Sequence, residues 1–308
     1  MTAIPKIQLR NLTKRIGNKT IVDHLTLDIQ PGEVFGLLGP NGAGKTTTMR
    51  MMVGLINISE GQVVIGGADV RNDFRAAMQQ VGAIVENPEL YKFLSGYNNL
   101  VHFARMSKGV TPQRIHEVVA LVGLEHRIHD KVRTYSLGMR QRLGLAVALL
   151  HNPSVLILDE PTNGLDPAGI REFRDHLRRL AQLEGLSVVV SSHLLSEMEL
   201  MCDRVAVIQN GKLVRVDRMR DIVQTEEIRR TRLDAEPVDQ AQSVLAALVP
   251  DVEVSVVEGQ LELKLARDQV PQIVSGLVQA GVRVYGIQAV TKTLEDSFLE
   301  LTGDGVIV

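Results

Sequence analysis

Lys45 and Thr46 fall near the end of the stretch Gly39-Pro40-Asn41-Gly42-Ala43-Gly44-Lys45-Thr46-Thr47, which fits the pattern G-x-x-x-x-G-K-[ST]. The chemistry follows from the residue types. Glycines let the backbone curl closely around phosphate oxygens with its N–H groups pointing inward. Lys45 supplies a mobile positive charge for the β- and γ-phosphates of a nucleoside triphosphate, and the Thr46 hydroxyl is placed to ligate Mg2+. A second group stands at Asp159 and Glu160, which end the apolar run Val155-Leu156-Ile157-Leu158. Acids presented at the end of a buried run suit a metal–phosphate site. Asp159 is then a Mg2+ partner through water, and Glu160 the general base that polarises an attacking water. His193 follows a third run, Ser187-Val188-Val189-Val190-Ser191-Ser192, and is a candidate γ-phosphate contact.

These groups need elements that bring them to one edge. Val34-Phe35-Gly36-Leu37-Leu38 reads as a buried strand before the glycine loop, and Thr46 to Leu55 has no breaker until Gly54, which predicts a helix after it. In a parallel sheet, residues at the carboxyl ends of the strands meet the ligand crevice. Past Glu160, Asp166 is a good N-cap and Pro167 a good first helical residue. Ile170, Phe173, Leu177 and Leu180 recur at steps of three and four, as on an amphipathic helix. Lys6 to Leu12 and Thr20 to Ile29 alternate apolar and polar, as half-exposed antiparallel strands would. Residues 87–150 lack strand signals and are rich in helix formers, with breaks at Gly96, at Gly109-Val110-Thr111-Pro112 and at Gly123. Tyr91, Phe93 and Tyr97 cluster there, either as a docking surface or as core. Asn210-Gly211 marks a hairpin turn.

Beyond residue 220 the chemistry-bearing motifs stop. Strand, helix, hairpin, helix and strand signals follow one another, a β-α-β-β-α-β order compatible with a small ferredoxin-like unit, with a closing helix at Leu294–Leu301. Arg229-Arg230-Thr231-Arg232 reads as a solvated strand edge. Dimer support, regulation and a merely structural role all remain open for this tail. The 308 residues suit a larger domain over 1–220 and a smaller one over 221–308. A formal net charge of −2 provides no general field for nucleic acid. One cysteine, Cys202, provides no disulfide framework and suits a reducing compartment. Met1 to Lys6 shows no signal-peptide pattern, and no apolar run approaches the ~20 residues a membrane span needs. A membrane role must therefore come through a partner.

Tyr135-Ser136-Leu137-Gly138-Met139-Arg140-Gln141-Arg142 resembles the signature motif of ATP-binding-cassette (ABC) ATPases, usually Leu-Ser-Gly-Gly-Gln. With the phosphate loop, the Asp159–Glu160 strand, the Leu165-Asp166 turn and His193, the motif order of that family occurs once over residues 5–220. GTPases and small-molecule kinases have phosphate loops but no such signature. The resemblance implies an α/β P-loop NTPase cassette: a RecA-like core, an antiparallel β subdomain and an α-helical subdomain at about 87–150, followed here by a small α+β domain. It implies ATP and Mg2+ as ligands, and a head-to-tail homodimer in which Ser136 and Gly138 reach the γ-phosphate of the neighbour's ATP while Asp166 sits at the seam.

Several positions depart from the family's pattern. Leu137 and Met139 replace its usual Gly and Gln. Glu86 stands where a metal-contacting glutamine is usual, and a carboxylate can also ligate Mg2+. Ile16 occupies the place of an aromatic ring that stacks on adenine. The signature, Glu86 and the tail most resemble ATPase subunits of bacitracin resistance and lantibiotic immunity. The function implied is an ATP-hydrolysing subunit at the cytoplasmic face of the membrane, powering a separate permease that exports a peptide antibiotic or another amphipathic compound, with no nucleic-acid partner. The alternative is a soluble ABC-type switch acting in DNA repair or on ribosomes.

Overall fold

Alternating side chains at the N-terminus form a bulged antiparallel pair, β1 (Ile7–Ile16) and β2 (Lys19–Ile29), in which Ile7, Leu9, Val22, Leu25 and Ile29 are buried. Both strands run longer than the alternating stretches, because the bulges let each change face and continue. The chain then enters β3 (Val34–Leu38), the phosphate loop and α1 (Lys45–Met52). It returns to the first sheet with β4 (Glu60–Ile65) and β5 (Ala68–Asp69), giving the order β2-β1-β4-β5. In the computed structural model, residues 4–86, 88–219, 228–249, 252, 254–257, 259–266 and 268–290 are described, and they divide into two compact units with the boundary after Met219.

After α2 (Phe74–Met78), β6 (Val81–Ile84) joins the second sheet. The helical stretch follows as α3 (Gly96–Ala104), α4 (Pro112–Leu121), a 3-10 turn at Val132–Thr134 and α5 (Leu137–Leu149). Gly96 does not break a helix; it opens one, behind the Ser95 cap whose hydroxyl accepts the Asn98 N–H. Then come β7 (Val155–Leu158), α6 (Pro167–Glu184), β8 (Ser187–Ser192), α7 (Leu195–Met201), β9 (Arg204–Gln209) and β10 (Lys212–Arg218). The sheet order is β10-β9-β3-β8-β7-β6, parallel throughout except for the β9–β10 hairpin. Strands β3, β7 and β8 are buried along their whole length, as strands covered on both faces must be. That burial explains their unbroken apolar runs and fixes the edge at which Gly39, Asp159 and His193 emerge.

The second unit is β11 (Ile228–Glu236), α8 (Val238–Leu248), β12 (Val254–Val257), β13 (Gln260–Ala266), α9 (Val270–Gln279) and β14 (Arg283–Val290), with sheet order β12-β13-β11-β14, all antiparallel. Leu233, Leu245, Leu261, Leu263, Leu265, Ile273 and Leu277 form its core. The reading of Arg229–Arg232 as a strand edge is corrected here. This segment lies on β11, an interior strand bonded to β13 and β14. Thr231 and Leu233 are buried, while Arg232 on the opposite face pairs with Glu262 at 2.5 Å. Arg232 suggested an edge because its cross-strand ion pair is invisible in a linear sequence. The helix expected at Leu294–Leu301 lies outside the described residues.

Candidate nucleotide site

Two glycines of the phosphate loop, Gly39 and Gly44, are pressed against neighbours that leave no room for a side chain. A Cβ on Gly39 would come within 2.2 Å of the Ile208 carbonyl oxygen. Gly44 has φ 106°, in the left-handed region, and a Cβ there would meet the Ile21 oxygen at 2.9 Å. The Asn210-Gly211 turn supports the loop from behind: Gly211 N–H donates to Ala43 O at 3.0 Å, and Asp23 N–H donates to Gly211 O at 2.8 Å. No side chain caps α1, so its first-turn N–H groups are left for a ligand. Asn41 and Gly42 are exposed, Thr46 and Thr47 half-buried. Lys45 is buried, and its Nζ donates to Gly39 O at 2.6 Å and Pro40 O at 3.3 Å.

The same ammonium lies 3.4 Å from Glu160 Oε1, and His193 Nδ1 lies 3.0 Å from Glu160 Oε2. Glu160 holds φ 46°, a backbone state that costs a non-glycine residue roughly 1–2 kcal/mol. Ser191 on β8 offsets it. Its Oγ accepts the Glu160 N–H at 2.8 Å and donates to Asp159 Oδ1 at 2.6 Å. One buried hydroxyl thus orients both acids. A third carboxylate, Glu197, accepts hydrogen bonds from Thr162 Oγ1 at 2.7 Å and Ser192 Oγ at 2.9 Å, while Ser192 Oγ accepts the Leu194 N–H at 3.0 Å. This arrangement pins the turn that carries His193. Ser191, Ser192 and Glu197 were not among the candidate residues. The signal available for the two serines was a serine pair closing the run after three valines, where polar groups inside a sheet must find partners.

The structure therefore gathers Lys45, Asp159, Glu160 and His193 around the phosphate loop. Ser136, Gly138 and Asp166 fall in a second group. Ser136 caps α5, its hydroxyl accepting the Met139 N–H at 3.2 Å, and it is exposed. Asp166 caps α6 through the Gly169 N–H at 3.0 Å. Leu137 connects the two caps: a Cβ on Gly164 would come within 3.0 Å of Leu137 Cδ2, and one on Gly138 within 3.7 Å of Leu165 Cδ2. The side chain at this variant position thus turns onto its own chain. Glu86 is exposed and ion-paired with Arg50. Ile16, at the end of β1, is 59% exposed. Tyr91 and Phe93 meet edge-on at the surface, and Phe93 is 71% exposed. Tyr97 is half-buried beside His116 and His129.

A parallel sheet that presents a glycine loop, two acids and a histidine at one edge, with an antiparallel sheet and a helical insertion, is a P-loop nucleoside-triphosphatase cassette. Residues 22–163 match the family described as ABC transporter. The chain is 56% identical to the Bacillus subtilis (strain 168) protein named "Uncharacterized ABC transporter ATP-binding protein YhcH", over 97% of this chain and 96% of that one. It is 38% identical to the bacitracin transport ATP-binding protein BcrA of Bacillus licheniformis, over 98% of each. A solved cassette, cbiO1 from Clostridium perfringens, part of the ABC transporter complex cbiONQ, superposes with a TM-score of 0.66 at 24% identity, covering 71% of this chain and 90% of that chain. The chain belongs to the ATP-binding subunits of ABC transporters: it binds ATP and is the ATPase that powers transport, in company with separate membrane components. Among the described residues, no helix is long and apolar enough to cross a membrane.

Proposed function

We infer that this subunit drives export of a peptide antibiotic or a similar amphipathic compound through a separate multi-spanning permease, from the cytoplasmic face of the membrane. The observation that carries the catalytic part is the contact of Glu160 with both Lys45 and His193 at the mouth of the phosphate loop. Glu160 accepts a proton from the attacking water, and His193 holds that carboxylate in place and reaches the γ-phosphate. The Gly39–Thr47 backbone and Lys45 bind the phosphates, and Ile16 lies against the base.

Mg2+ suits the oxygen donors Thr46, Asp159 and Glu86. When bound, the ion supplies charge for the β- and γ-oxygens. Two chains pairing head to tail would complete each site, with Ser136, Gly138 and the N-terminus of α5 facing the partner's γ-phosphate and Asp166 at the seam. The exposed Tyr91–Phe93 pair supports the docking of the permease on the helical subdomain. The unit beyond residue 220 is an accessory domain.

The export reading rests on the likeness to BcrA over nearly the whole of both chains. Its test is a pull-down from detergent-solubilised membranes with the Glu160→Gln protein, ATP and Mg2+, followed by bacitracin and lantibiotic sensitivity of a strain lacking the gene. Recovery of a multi-spanning protein together with raised sensitivity is expected. Recovery of the permease with unchanged sensitivity to every peptide antibiotic tried would overturn the export assignment.

A further inference from the structure

Two turns leave the parallel sheet side by side. The one after β7 carries Glu160, and the one after β8 carries His193. Ser191 joins them at the floor, through Asp159 Oδ1 and the Glu160 N–H. A second connection lies further along both turns, where one oxygen of Glu197, Oε2, accepts hydrogen bonds from both Thr162 Oγ1 and Ser192 Oγ. Thr162 and Ser192 are 2% and 1% exposed, so both hydroxyls must be satisfied within the protein. Each is also bound into its own turn. Asn163 N–H donates to Glu160 O at 3.2 Å and Leu165 N–H to Thr162 O at 3.0 Å, so Thr162 moves with Glu160. Ser192 Oγ accepts the Leu194 N–H across His193, so Ser192 moves with His193. Glu197 itself stands in the first turn of α7, where the Met198 N–H donates to Leu194 O at 3.4 Å.

We propose that Glu197 is a positioning residue for hydrolysis: it makes the Glu160 turn and the His193 turn a single unit, and so sets the 3.0 Å contact between Glu160 Oε2 and His193 Nδ1. The proposal rests on the reading of Glu160 as base and His193 as γ-phosphate contact. Those two side chains are themselves 19% and 33% exposed, and a pair open to water is too weak to hold two turns together. A carboxylate suits the task. Ionised, it has no proton to donate and accepts both hydroxyls at once, so both must point toward it. Ser191 fixes Asp159 and the Glu160 backbone, and Glu197 fixes what lies beyond them. Its partners are hydroxyls of the turns. Loss of Glu197 is therefore felt in the rate, while Lys45 and the Gly39–Thr47 backbone keep their hold on the phosphates.

Steady-state ATPase of the purified full chain, with equilibrium ATP affinity and a thermal melt of each variant, tests this for Glu197→Ala, Glu197→Gln, Thr162→Val and His193→Ala, and for Glu197→Ala combined with each of the last two. Glu197→Ala is expected to lower kcat ~10- to 100-fold, the effect of a misplaced catalytic group, with KM and ATP affinity within about threefold of wild type. Glu197→Gln, whose carbonyl oxygen can still accept both hydroxyls, recovers most of that loss. Thr162→Val lowers kcat in the same way, and adding Glu197→Ala to it or to His193→Ala lowers kcat no more than about twofold further. Wild-type kcat in Glu197→Ala, or a loss by the same factor in the wild-type and His193→Ala chains, overturns the proposal and leaves the roles of Glu160 and His193 intact. Undiminished kcat in His193→Ala removes the His193 reading, and the positioning role of Glu197 with it. If Glu197→Ala does not fold, Thr162→Val is compared in the wild-type and His193→Ala chains, and the same two outcomes decide.

Discussion

At the edge of the parallel sheet, Lys45, Asp159, Glu160, Ser191 and His193 bond to one another at 2.6 to 3.4 Å. At the start of α5, Ser136 is exposed and spends its hydroxyl on its own helix, and its neighbour Leu137 packs back onto the Gly164–Leu165 turn. Both regions offer N–H groups and hydroxyls suited to phosphate, but they differ in how complete they are. The first is a preorganised site within one chain, with charges held before any reaction begins. The second is an exposed helix N-terminus braced on the Gly164–Leu165 turn, which in the proposed head-to-tail pair meets the partner's ATP. The difference implies that loss of a strand-end group hurts chemistry or binding in a single chain, whereas changes at α5 hurt pairing.

The largest effect that separates the two is expected from Glu160→Gln. Turnover falls ~10²-fold or more while ATP binding persists, because the amide keeps the shape and loses the base. ATPase assay beside nucleotide binding checks this, and wild-type-like hydrolysis would remove Glu160 from the base role. Lys45→Ala is expected next, weakening ATP binding about 10- to 100-fold, the size of lost charge-assisted contacts. Titration of a fluorescent nucleotide measures it, and unchanged affinity would contradict the Lys45 assignment.

Ser191→Ala sharpens the comparison from the structural side. It leaves Asp159 Oδ1 and the Glu160 N–H without the hydroxyl that joins them, so stability drops by about 1–3 kcal/mol in denaturant unfolding and turnover drops with it. Ser136→Ala, by contrast, removes a cap worth about 1 kcal/mol and leaves nucleotide affinity of the isolated chain as it was. The smallest change is expected from Leu137→Gly. Freeing α5 from the Gly164 turn lowers ATP-driven pairing of the Glu160→Gln protein by about two- to fivefold, the size of a partly buried apolar contact, with single-chain ATP affinity unmoved. Sedimentation or size-exclusion with ATP reads it. Tighter pairing in that variant would show that the leucine obstructs the interface rather than bracing it.

Much of this arrangement was legible from residue types and spacing. The runs at Val34, Val155 and Ser187 become strands because branched apolar side chains favour a sheet covered on both faces. Asp166-Pro167 and Ser136 become caps because such residues satisfy exposed helix N–H groups. Three features were not legible. Ser191 earns its role from a strand neighbour 32 positions away, the Glu197 network from Thr162, and the Arg50–Glu86 pair from two separate elements. Arg232 of β11 was misplaced for the same reason: its pairing with Glu262 is a property of the sheet.

The sequence by itself determined the ligand class, the loop that grips phosphate, and several of the strands and helix caps around it. These are local matters, settled by glycine's conformational range, by hydrophobic period and by capping chemistry. The tertiary structure alone decided which side chains meet: one serine orienting two acids, a lysine and a histidine meeting on Glu160, a leucine joining two helix starts, and an arginine engaging Glu86. Hydrogen bonds and ion pairs act over about 3 Å, and only packing brings residues far apart in the chain to within that distance.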